Sequence, residues 1–458
     1  MPWLTPAPEI IRLHLIALLP ALAALWWMTR APLASVFQRV YLPVLLLLPN
    51  YYRCFLPGLP DLTFNQAAIL PIFVLFLAQR PYGWRFSVTD LLVLLFAASV
   101  GYSEYASTTY KDAQNLLVDM AASVVMPYVL AKGLIESSGE RERTARVIAV
   151  CTFVVALISV YEFRMGVTPF RKLLDPFFPG QAYWVTTFRW GFVRIAGPYG
   201  HAILAGVILT VGFRLSRYLQ WVGAWPRWAR LPERWPLSSG VSVSLGLAAG
   251  VLMSMCRGPW LGAGLASAIA NVARVRRRQL IVRLGVLAIL VVGVPVAAQL
   301  WSWASVGREN ATSISQETAA YRKELIDNYV DIALVEAWWG WGKTTWPKLA
   351  SMPSIDNYYL LLLLQHGAVS LLLLVSLFLW MGLRLYRRGR DETDPRDTAF
   401  AWTLLAIWGS VVLNLLFVYL GETLMPLLFV LAGWMEGFLR PARIAPDPQP
   451  PPFQRILQ

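Results

Sequence analysis

Long hydrophobic runs recur along almost the whole chain, and shorter polar segments separate them. The runs lie at approximately 10–28, 33–49, 64–79, 87–101, 113–132, 144–162, 199–217, 239–256, 259–273, 279–299, 356–384, 397–419 and 422–438. Most approach the roughly 20 mainly apolar residues that a helix needs to cross a bilayer. Because the backbone must satisfy its own hydrogen bonds in lipid, the pattern predicts an all-α polytopic membrane protein. We expect about 12–13 transmembrane helices in one integral membrane domain over residues 1–458.

The composition agrees with this pattern and narrows the range of partners. The chain is 57% hydrophobic and 14% charged, whereas about 25% of residues are charged in soluble domains. Its formal net charge of +14 would indicate nucleic acid in a soluble protein, but here the positive-inside rule explains it first. Neither the 3 cysteines nor the 3 histidines have metal-ligand spacing. The sequence therefore predicts no metal, no cofactor and no nucleic-acid partner.

The basic residues of the short loops predict the orientation of the chain. They fall on alternate loops, which are therefore expected to be cytoplasmic: Arg80 and Arg85; Lys132, Arg141 and Arg143; Arg227, Arg230 and Arg234; Arg274, Arg276, Arg277 and Arg278; Arg384, Arg387, Arg388 and Arg390. The outer face then receives two long segments, 162–199 and 301–355. The first run lacks a positive n-region and a cleavage site, so we do not interpret it as a signal peptide. The proline-rich residues 441–458 are predicted to form a disordered cytoplasmic tail.

Residues 301–355, which we call the island, form the largest polar exception in the chain. Ser313 and Gln316 have the spacing of a capping box at a helix start. The apolar positions that follow share one helical face: Tyr321, Leu325, Tyr329 and Ile332. This pattern favours an amphipathic helix lying over the membrane surface; the alternative is a plain solvated connector.

The predicted outer face carries more basic residues than the positive-inside rule explains. They are Arg53, Arg164, Arg171, Lys172, Arg189, Arg194, Arg257, Arg322, Lys323, Lys343 and Lys348. Some would be interfacial side chains that reach toward water, but Arg194 and Arg257 each abut a predicted helix. A charge at that depth is costly and indicates a functional site or an ion pair. Guanidinium groups bind phosphate oxygens in pairs, so converging arginines would suit a diphosphate. In the alternative reading these segments only break helical hairpins, which leaves the arginines unexplained.

Asp356 is the carboxylate that we single out for chemistry. At the outer end of an apolar helix its pKa would rise toward that of a general base, although Asp at this position is also a common helix N-cap. Trp341 lies in an aromatic turn whose rings suit either sugar stacking or a membrane-interface belt. His201 gains interest from its nearness to Arg194 in the sequence.

The order of several short motifs resembles the bacterial O-antigen ligase and polymerase superfamily over roughly residues 190–385. The motifs are Arg194-x-x-Gly197-Pro198, Ser254-x-x-Arg257-Gly258-x-x-Leu261-Gly262, Tyr321-Arg322, Gly340-Trp341-Gly342, and Asp356-Asn357-x-Tyr359-Leu360 with Gly367. The resemblance implies a metal-independent glycosyltransferase of the bacterial inner membrane with a periplasmic active site. Its implied partners are an undecaprenyl-diphosphate-linked oligosaccharide donor, a glycan acceptor (lipid-linked glycan or lipid A-core) and membrane lipids.

The resemblance also implies roles for single residues. Arg194 and Arg257 would hold the diphosphate, and Asp356 stands where ligases have a histidine as the proposed base. That departure favours a polysaccharide polymerase over an O-antigen ligase, with Glu317 or Glu324 as other candidates for the base. The predicted substrate-binding residues are Arg322, Tyr321, Arg189, Lys323, His201, Asn357 and Trp341.

Two other classes of protein make different predictions. A lipid-linked glycan transporter predicts charges near the middle of several spans, and the nearest examples are Asn65, Asn115, Asp119 and Asn414. A structural scaffold predicts no concentration of arginines on the outer face. Both rank below the enzyme.

Overall fold

A computed structural model describes residues 14–55, 60–79, 84–181, 186–226, 238–352 and 354–440. The predictions for the start of the first run, for Arg80, for the arginines of loop 227–237 and for the tail 441–458 lie outside the described residues.

In the described part, nearly all regular structure is helical. The helices are α1 Leu15–Met28, α2 Leu33–Leu47, α3 Phe64–Ala78, α4 Val88–Ser107, α5 Asp112–Leu134, α6 Arg141–Met165, α7 Pro169–Leu174, α8 Ala202–Trp221, α9 Ser239–Met253, α10 Arg257–Val272, α11 Arg278–Ala304, α12 Ile314–Val335, α13 Tyr358–Asp391, α14 Pro395–Asn414 and α15 Leu424–Phe438.

Each predicted hydrophobic run coincides with one of these helices, and the two remaining helices, α7 and α12, lie in the two long outer segments. Among the described residues, 6 helices are long and apolar enough to cross a membrane: α4, α5, α6, α8, α11 and α13. Shorter apolar helices accompany them, namely α1, α2, α3, α9 and α15. The prediction of an all-α polytopic membrane protein is therefore confirmed.

Two helices show how differently the apolar spans are surrounded. In α8, 89% of the most apolar 18-residue stretch is buried inside the protein. This helix packs on α6, α9, α10 and α14. In α11 the corresponding share is 0%, and this helix contacts α10 with its first half and α12 with its second. A helix that is apolar on all sides and unburied needs lipid around it. Thus α8 forms the centre of the bundle, and α11 stands at its edge.

The loops contain two short antiparallel hairpins. Strand β1 (Arg53–Cys54) pairs with β2 (Leu62–Thr63), and β3 (Phe188–Arg189) pairs with β4 (Phe192–Val193). The second hairpin turns through Trp190 and Gly191, whose φ angles of 52° and 80° are both positive. Two central residues with positive φ are the mark of the two-residue turn whose twist matches that of paired strands.

The island packs onto the N-terminal part of α13. Ser313 caps α12 by accepting the N–H of Gln316 at 3.2 Å. The Gln316 side chain, however, accepts from the Thr312 N–H at 2.9 Å, so only half of the predicted capping box forms. The predicted apolar face is confirmed, since Leu325 and Tyr329 are buried in a cluster with Trp346, Met352, Ile355, Leu360 and Leu364. This packing excludes a plain solvated connector.

The aromatic turn of the island is joined to a break in α13. Gly367 has a φ of 74° inside the helix, so the carbonyls one turn earlier lose their helical partners. The N–H groups of Trp341 and Gly342 donate to the carbonyls of Leu364 and Gln365 at 3.0 and 2.9 Å. A Cβ at Gly367 would lie 2.2 Å from the Trp338 carbonyl oxygen. Only glycine therefore permits this close approach.

The opposite end of the bundle collects several residues that the loop pattern predicts as cytoplasmic. Lys132 pairs with the buried Asp90, which also lies 3.6 Å from Arg440. Arg141 pairs with Asp397 at 2.6 Å in the same region. These cations have carboxylate partners, which sets them apart from the arginines described next.

Candidate active site

The β3–β4 hairpin carries Arg189 and places Arg194 just before the start of α8. The Nη1 group of Arg189 donates to the Met255 carbonyl at 3.0 Å. The Nη2 group of Arg194 lies 3.0 Å from the Cys256 Sγ. Both arginines are therefore docked against the turn that joins α9 to α10.

That turn has an unusual backbone. Met255 is a non-glycine residue with a φ of 50°, a conformation that costs energy and is concentrated at functional sites. It leads directly into Arg257, the first residue of α10. The Arg257 guanidinium is exposed, 3.4 Å from the Ser315 Oγ of the island and 5.8 Å from the centre of the Trp190 ring. The guanidinium of Arg189 lies 5.9 Å from the same ring, so the Trp190 ring makes cation–π contacts with two arginines.

Glu162 fixes the backbone on which Arg194 stands. Its buried carboxylate accepts the N–H groups of Ala196 and Gly197, each at 2.9 Å, and the hydroxyl of Thr168 at 2.7 Å. The carboxylate is thus bound by two backbone N–H groups and a hydroxyl, and not by a guanidinium. Sequence reasoning missed this residue, although a carboxylate in the last turn of an apolar helix was a signal for it.

The island completes the site with Arg322. Its guanidinium lies 5.4 Å from the centre of the Phe417 ring, and electrostatic interactions link it to Asp356 and Arg257. Burial lowers the pKa of Arg189, and the positive charges that lower it further belong to Arg194, Arg257 and Arg322. The four arginines thus form one cluster, which we call the arginine site.

The arginine site is not electrically balanced. Within the described part of the chain, none of its four arginines forms an ion pair with a carboxylate within 4.0 Å. The Nε group of Arg194 is buried and has no hydrogen-bond partner there. Buried donors without partners are costly and rare in native structures, so this arrangement calls for an anionic ligand.

Asp356 is the carboxylate that faces this cluster. The N-cap of α13 is Asn357, whose Oδ1 accepts the N–H groups of Tyr359 and Leu360 at 3.0 and 3.2 Å. The interpretation of Asp356 as the cap is therefore wrong. Burial raises the pKa of Asp356, while Arg322, Arg194 and a hydrogen bond from Ser354 act in the opposite direction. A partly desolvated carboxylate beside arginines has the properties of a general base.

His201 has a different role from Asp356. It is the N-cap of α8, and its Nδ1 accepts the Ile203 N–H at 3.2 Å. Burial, with a further contribution from Arg194, lowers the pKa of His201 to about 4. The ring is therefore neutral near pH 7, with its proton on Nε2, and it can donate a hydrogen bond but is a poor base.

The remaining predicted binding residues separate into two groups. Tyr321 borders the site, because its hydroxyl donates to the Ser354 carbonyl at 3.4 Å and it interacts electrostatically with Asp356. Lys323 instead pairs with Asp327 at 2.5 Å. Trp341 donates its indole N–H to the Ile332 carbonyl at 3.0 Å within the island. The structure thus brings Tyr321 to the arginine site and engages Lys323 and Trp341 in the island's own packing.

The two alternative bases lie on α12. Glu324 is 3.9 Å from Arg308, a residue outside the arginine site. Glu317 is exposed in the first turn of the helix. Asp356 is the carboxylate with electrostatic links to both Arg194 and Arg322, which favours it over both.

Together, the fold and the site define an all-α integral membrane protein with an unbalanced arginine cluster beside one carboxylate. Residues 242–375 match the model of the O-antigen ligase family. The matched part runs from α9 into α13 and contains Arg257, Arg322 and Asp356, while Arg189 and Arg194 precede it. This match confirms the resemblance to the O-antigen ligase and polymerase superfamily. A search of curated proteins finds no match.

Proposed function

We propose that the protein is a metal-independent glycosyltransferase of the bacterial inner membrane, with its active site facing the periplasm. Its donor is an undecaprenyl-diphosphate-linked glycan, and it polymerises repeat units of a surface polysaccharide or exopolysaccharide. The observation that carries this proposal is the arginine site, whose four guanidinium groups have no carboxylate within 4.0 Å among the described residues. The family match supports the same class of enzyme in general terms.

A diphosphate matches the charge of the arginine site. Planar guanidinium groups form paired hydrogen bonds to phosphate oxygens. The exposed guanidinium of Arg257 is accessible to a diphosphate oxygen. Because Arg257 and Arg322 come from different elements, a bound diphosphate would also connect α10 to the island.

The reaction follows from the position of Asp356 beside the arginines. Asp356 removes the proton of an acceptor hydroxyl, and that oxygen forms a bond to the anomeric carbon of the donor sugar. The bond from this carbon to the diphosphate oxygen breaks, and its electron pair leaves with the diphosphate. Arg194 and Arg257 stabilise the charge that develops there, and the proton on Asp356 later passes to water. Loss of one such stabilising donor typically costs about 10²–10³ in rate.

Helix α11 offers a place for the lipid part of the donor. Its apolar window is unburied, and it contacts α10 and α12, the helices that carry Arg257 and Arg322. A polyprenyl chain beside α11 would remain in a lipid-like environment while its diphosphate reaches the arginines. The donor would then not need to leave the membrane.

An O-antigen ligase, which transfers finished glycan to lipid A-core, is the second candidate. The description of the matching family favours it, whereas the aspartate at position 356 in place of the ligase histidine favours the polymerase. Deletion of the gene separates the two candidates. Accumulation of lipid-linked single repeat units indicates a polymerase, and accumulation of finished but unattached chains indicates a ligase.

The proposed function is tested with Arg194→Ala and Arg257→Ala proteins that insert normally into the membrane. We expect each to lose about 10²–10³ in the rate of glycan transfer, measured as polymer formation from lipid-linked repeat units. Arg171→Ala is the matched control, because Arg171 lies in an outer segment and pairs with Asp175 at 3.2 Å. Wild-type rates in both site variants would refute the proposed function.

A further inference from the structure

A cavity lies inside the bundle, next to the arginine site. Its volume is about 370 Å³, within the range of roughly 300–1,000 Å³ that is common for small-ligand sites. Residues of α3, α4, α5, α8 and α13 and of the segments 50–53 and 419–423 line it. The polar side chains on these walls include Asn50, Asn65, Gln66, Asp119, Gln365 and Glu422. We call this space the inner cavity.

The inner cavity and the arginine site share a wall. Tyr358, two residues after Asp356, lines the cavity, and so does Tyr419. Tyr419 interacts electrostatically with Asp356, and its ring centre lies 5.9 Å from that of His201. Arg194 and Arg322 also interact electrostatically with Asp356. Asp356 is therefore close both to the arginines and to the shared wall of the inner cavity.

The charges of the inner cavity are balanced. Arg53 lies 3.4 Å from Asp119 and 3.6 Å from Glu422, and Lys343 interacts electrostatically with Glu422. These two cations and two anions line one cavity. A phosphate would find no excess positive charge there, so the cavity is matched to a neutral ligand.

The polar side chains that are accessible in the inner cavity are mainly charged. The exposed fractions of the Arg53, Asp119 and Glu422 side chains are 23%, 15% and 47%, and Gln365 is half-buried. Asn50 and Asn65 stand behind them and are almost completely buried, and the amide nitrogen of Asn50 donates to the Leu45 carbonyl and to the Thr423 hydroxyl, each at 3.1 Å. A ligand of the cavity would therefore bind the charged groups and Gln365.

The chemistry of the walls matches a sugar. Hydroxyl groups can both donate to and accept from these side chains, and the aromatic rings of Tyr51, Tyr199 and Tyr358 lie on the same walls. Ring faces pack against the C–H surfaces of a sugar while polar groups bind its hydroxyls. A hydrocarbon chain would desolvate the charged groups without binding them.

We propose that the inner cavity is the acceptor subsite, which receives the neutral terminal sugar of the acceptor glycan and presents one of its hydroxyls to Asp356. This inference rests on the proposed function and adds the acceptor's place and charge class to it. The acceptor hydroxyl then attacks the anomeric carbon on the face opposite the departing diphosphate, as a direct displacement requires. A terminal sugar with a carboxylate or phosphate is disfavoured by the balanced charges.

Binding measurements on the purified protein in nanodiscs test this inference with two probes. One is the phosphate-free oligosaccharide released by mild acid from the lipid-linked intermediates of cells lacking the protein. The other is undecaprenyl diphosphate. In Gln365→Leu, at a half-buried position of the cavity wall, we expect about a tenfold loss of oligosaccharide affinity, the equivalent of one hydrogen bond, and unchanged diphosphate affinity. Arg194→Ala should show the reverse pattern.

Two further variants make the outcome decisive. Val100→Phe adds bulk to another wall of the cavity and should also weaken oligosaccharide binding, without depending on Gln365. Asn310→Leu is the matched control, because this exposed asparagine lies on the island's surface. Unchanged oligosaccharide affinity in both cavity variants, weaker diphosphate binding in them, or no oligosaccharide binding by the wild type would overturn the acceptor subsite. Unchanged diphosphate affinity in Arg194→Ala would instead count against the proposed function.

Discussion

Arg53 and Arg194 belong to the same excess of basic residues on the predicted outer face, yet they stand in opposite electrostatic surroundings. Arg53 lies within 3.6 Å of two carboxylates. Among the described residues, Arg194 has no carboxylate within 4.0 Å and no partner for its buried Nε group, and it interacts electrostatically with Arg189. In a membrane protein, a paired cation is explained by the protein itself, whereas an unpaired cation calls for a ligand. The proposed anion site and the proposed cavity for a neutral ligand thus differ first in how their arginines are paired.

The two regions also differ in the backbone that carries them. The arginine site is built on turns, two of which contain non-glycine residues with positive φ: Trp190 at 52° and Met255 at 50°. The walls of the inner cavity come mainly from helices packed in the bundle. Strain of this kind persists only where the surroundings enforce it. The hairpin and Glu162 provide that enforcement around Arg194.

Asp356→Asn should have the largest effect, because it removes the proposed general base. The rate of glycan transfer should fall by about 10²–10⁴, while both probes still bind. In the wild type the carboxylate is the active form and burial raises its pKa. The rate should therefore decline as the pH falls through a value above that of an ordinary aspartate, and Asp356→Asn should abolish this decline.

The control for Asp356→Asn is Asp327→Asn, which changes an exposed carboxylate of the island paired with Lys323. It should keep both the rate and the pH profile. Full activity of Asp356→Asn would remove the base assignment. Asp356 would then have no capping role either, because Asn357 caps α13.

Glu162→Gln should have an intermediate effect on the arginine site. Glutamine has one acceptor oxygen, so one of the N–H groups of Ala196 and Gly197 would face a donor instead of a carboxylate. We expect about a tenfold weaker affinity for undecaprenyl diphosphate, through displacement of Arg194, and a loss of about 1–3 kcal/mol in stability. The measurements are diphosphate binding and Tm.

Glu162→Asp separates positioning from simple destabilisation. It keeps both acceptor oxygens on a shorter side chain and should recover part of the diphosphate affinity. Glu309→Gln, at an exposed position of the island, should change neither quantity. Oligosaccharide affinity should stay constant throughout, and a parallel loss of both affinities would indicate general unfolding.

The sequence predicts the helices and the arginines at the helix ends, because both follow from the free-energy cost of placing local groups in lipid. A long apolar run must form a helix in lipid, and an arginine at a helix end in the membrane needs a reason. Arg194 and Arg257 were identified on that ground, and the structure brings them together with Arg189 and Arg322.

Other features of the site depend on contacts between distant parts of the chain. Glu162 binds backbone 34 residues away, and the inner cavity unites Arg53 with Glu422, so spacing in the sequence could not indicate either. The sequence leaves Asp356 open as either a base or the N-cap of α13, because Asp and Asn both cap helices and the two residues are neighbours. Only the backbone angles and the hydrogen bonds distinguish the two neighbours.

Asp119→Asn should have the smallest effect and sharpens the comparison most directly. Asparagine keeps an acceptor for Gln66, which donates to Asp119 at 2.6 Å, but it removes one negative charge from the inner cavity. Because partly exposed ion pairs contribute about 0–1 kcal/mol, affinity for the neutral oligosaccharide should change by less than about fivefold. The same oligosaccharide with one carboxylate added should bind more tightly than it does to the wild type, since Arg53 would then be partly unbalanced. Equal changes for the two oligosaccharides would show that charge balance does not select the ligand of the inner cavity.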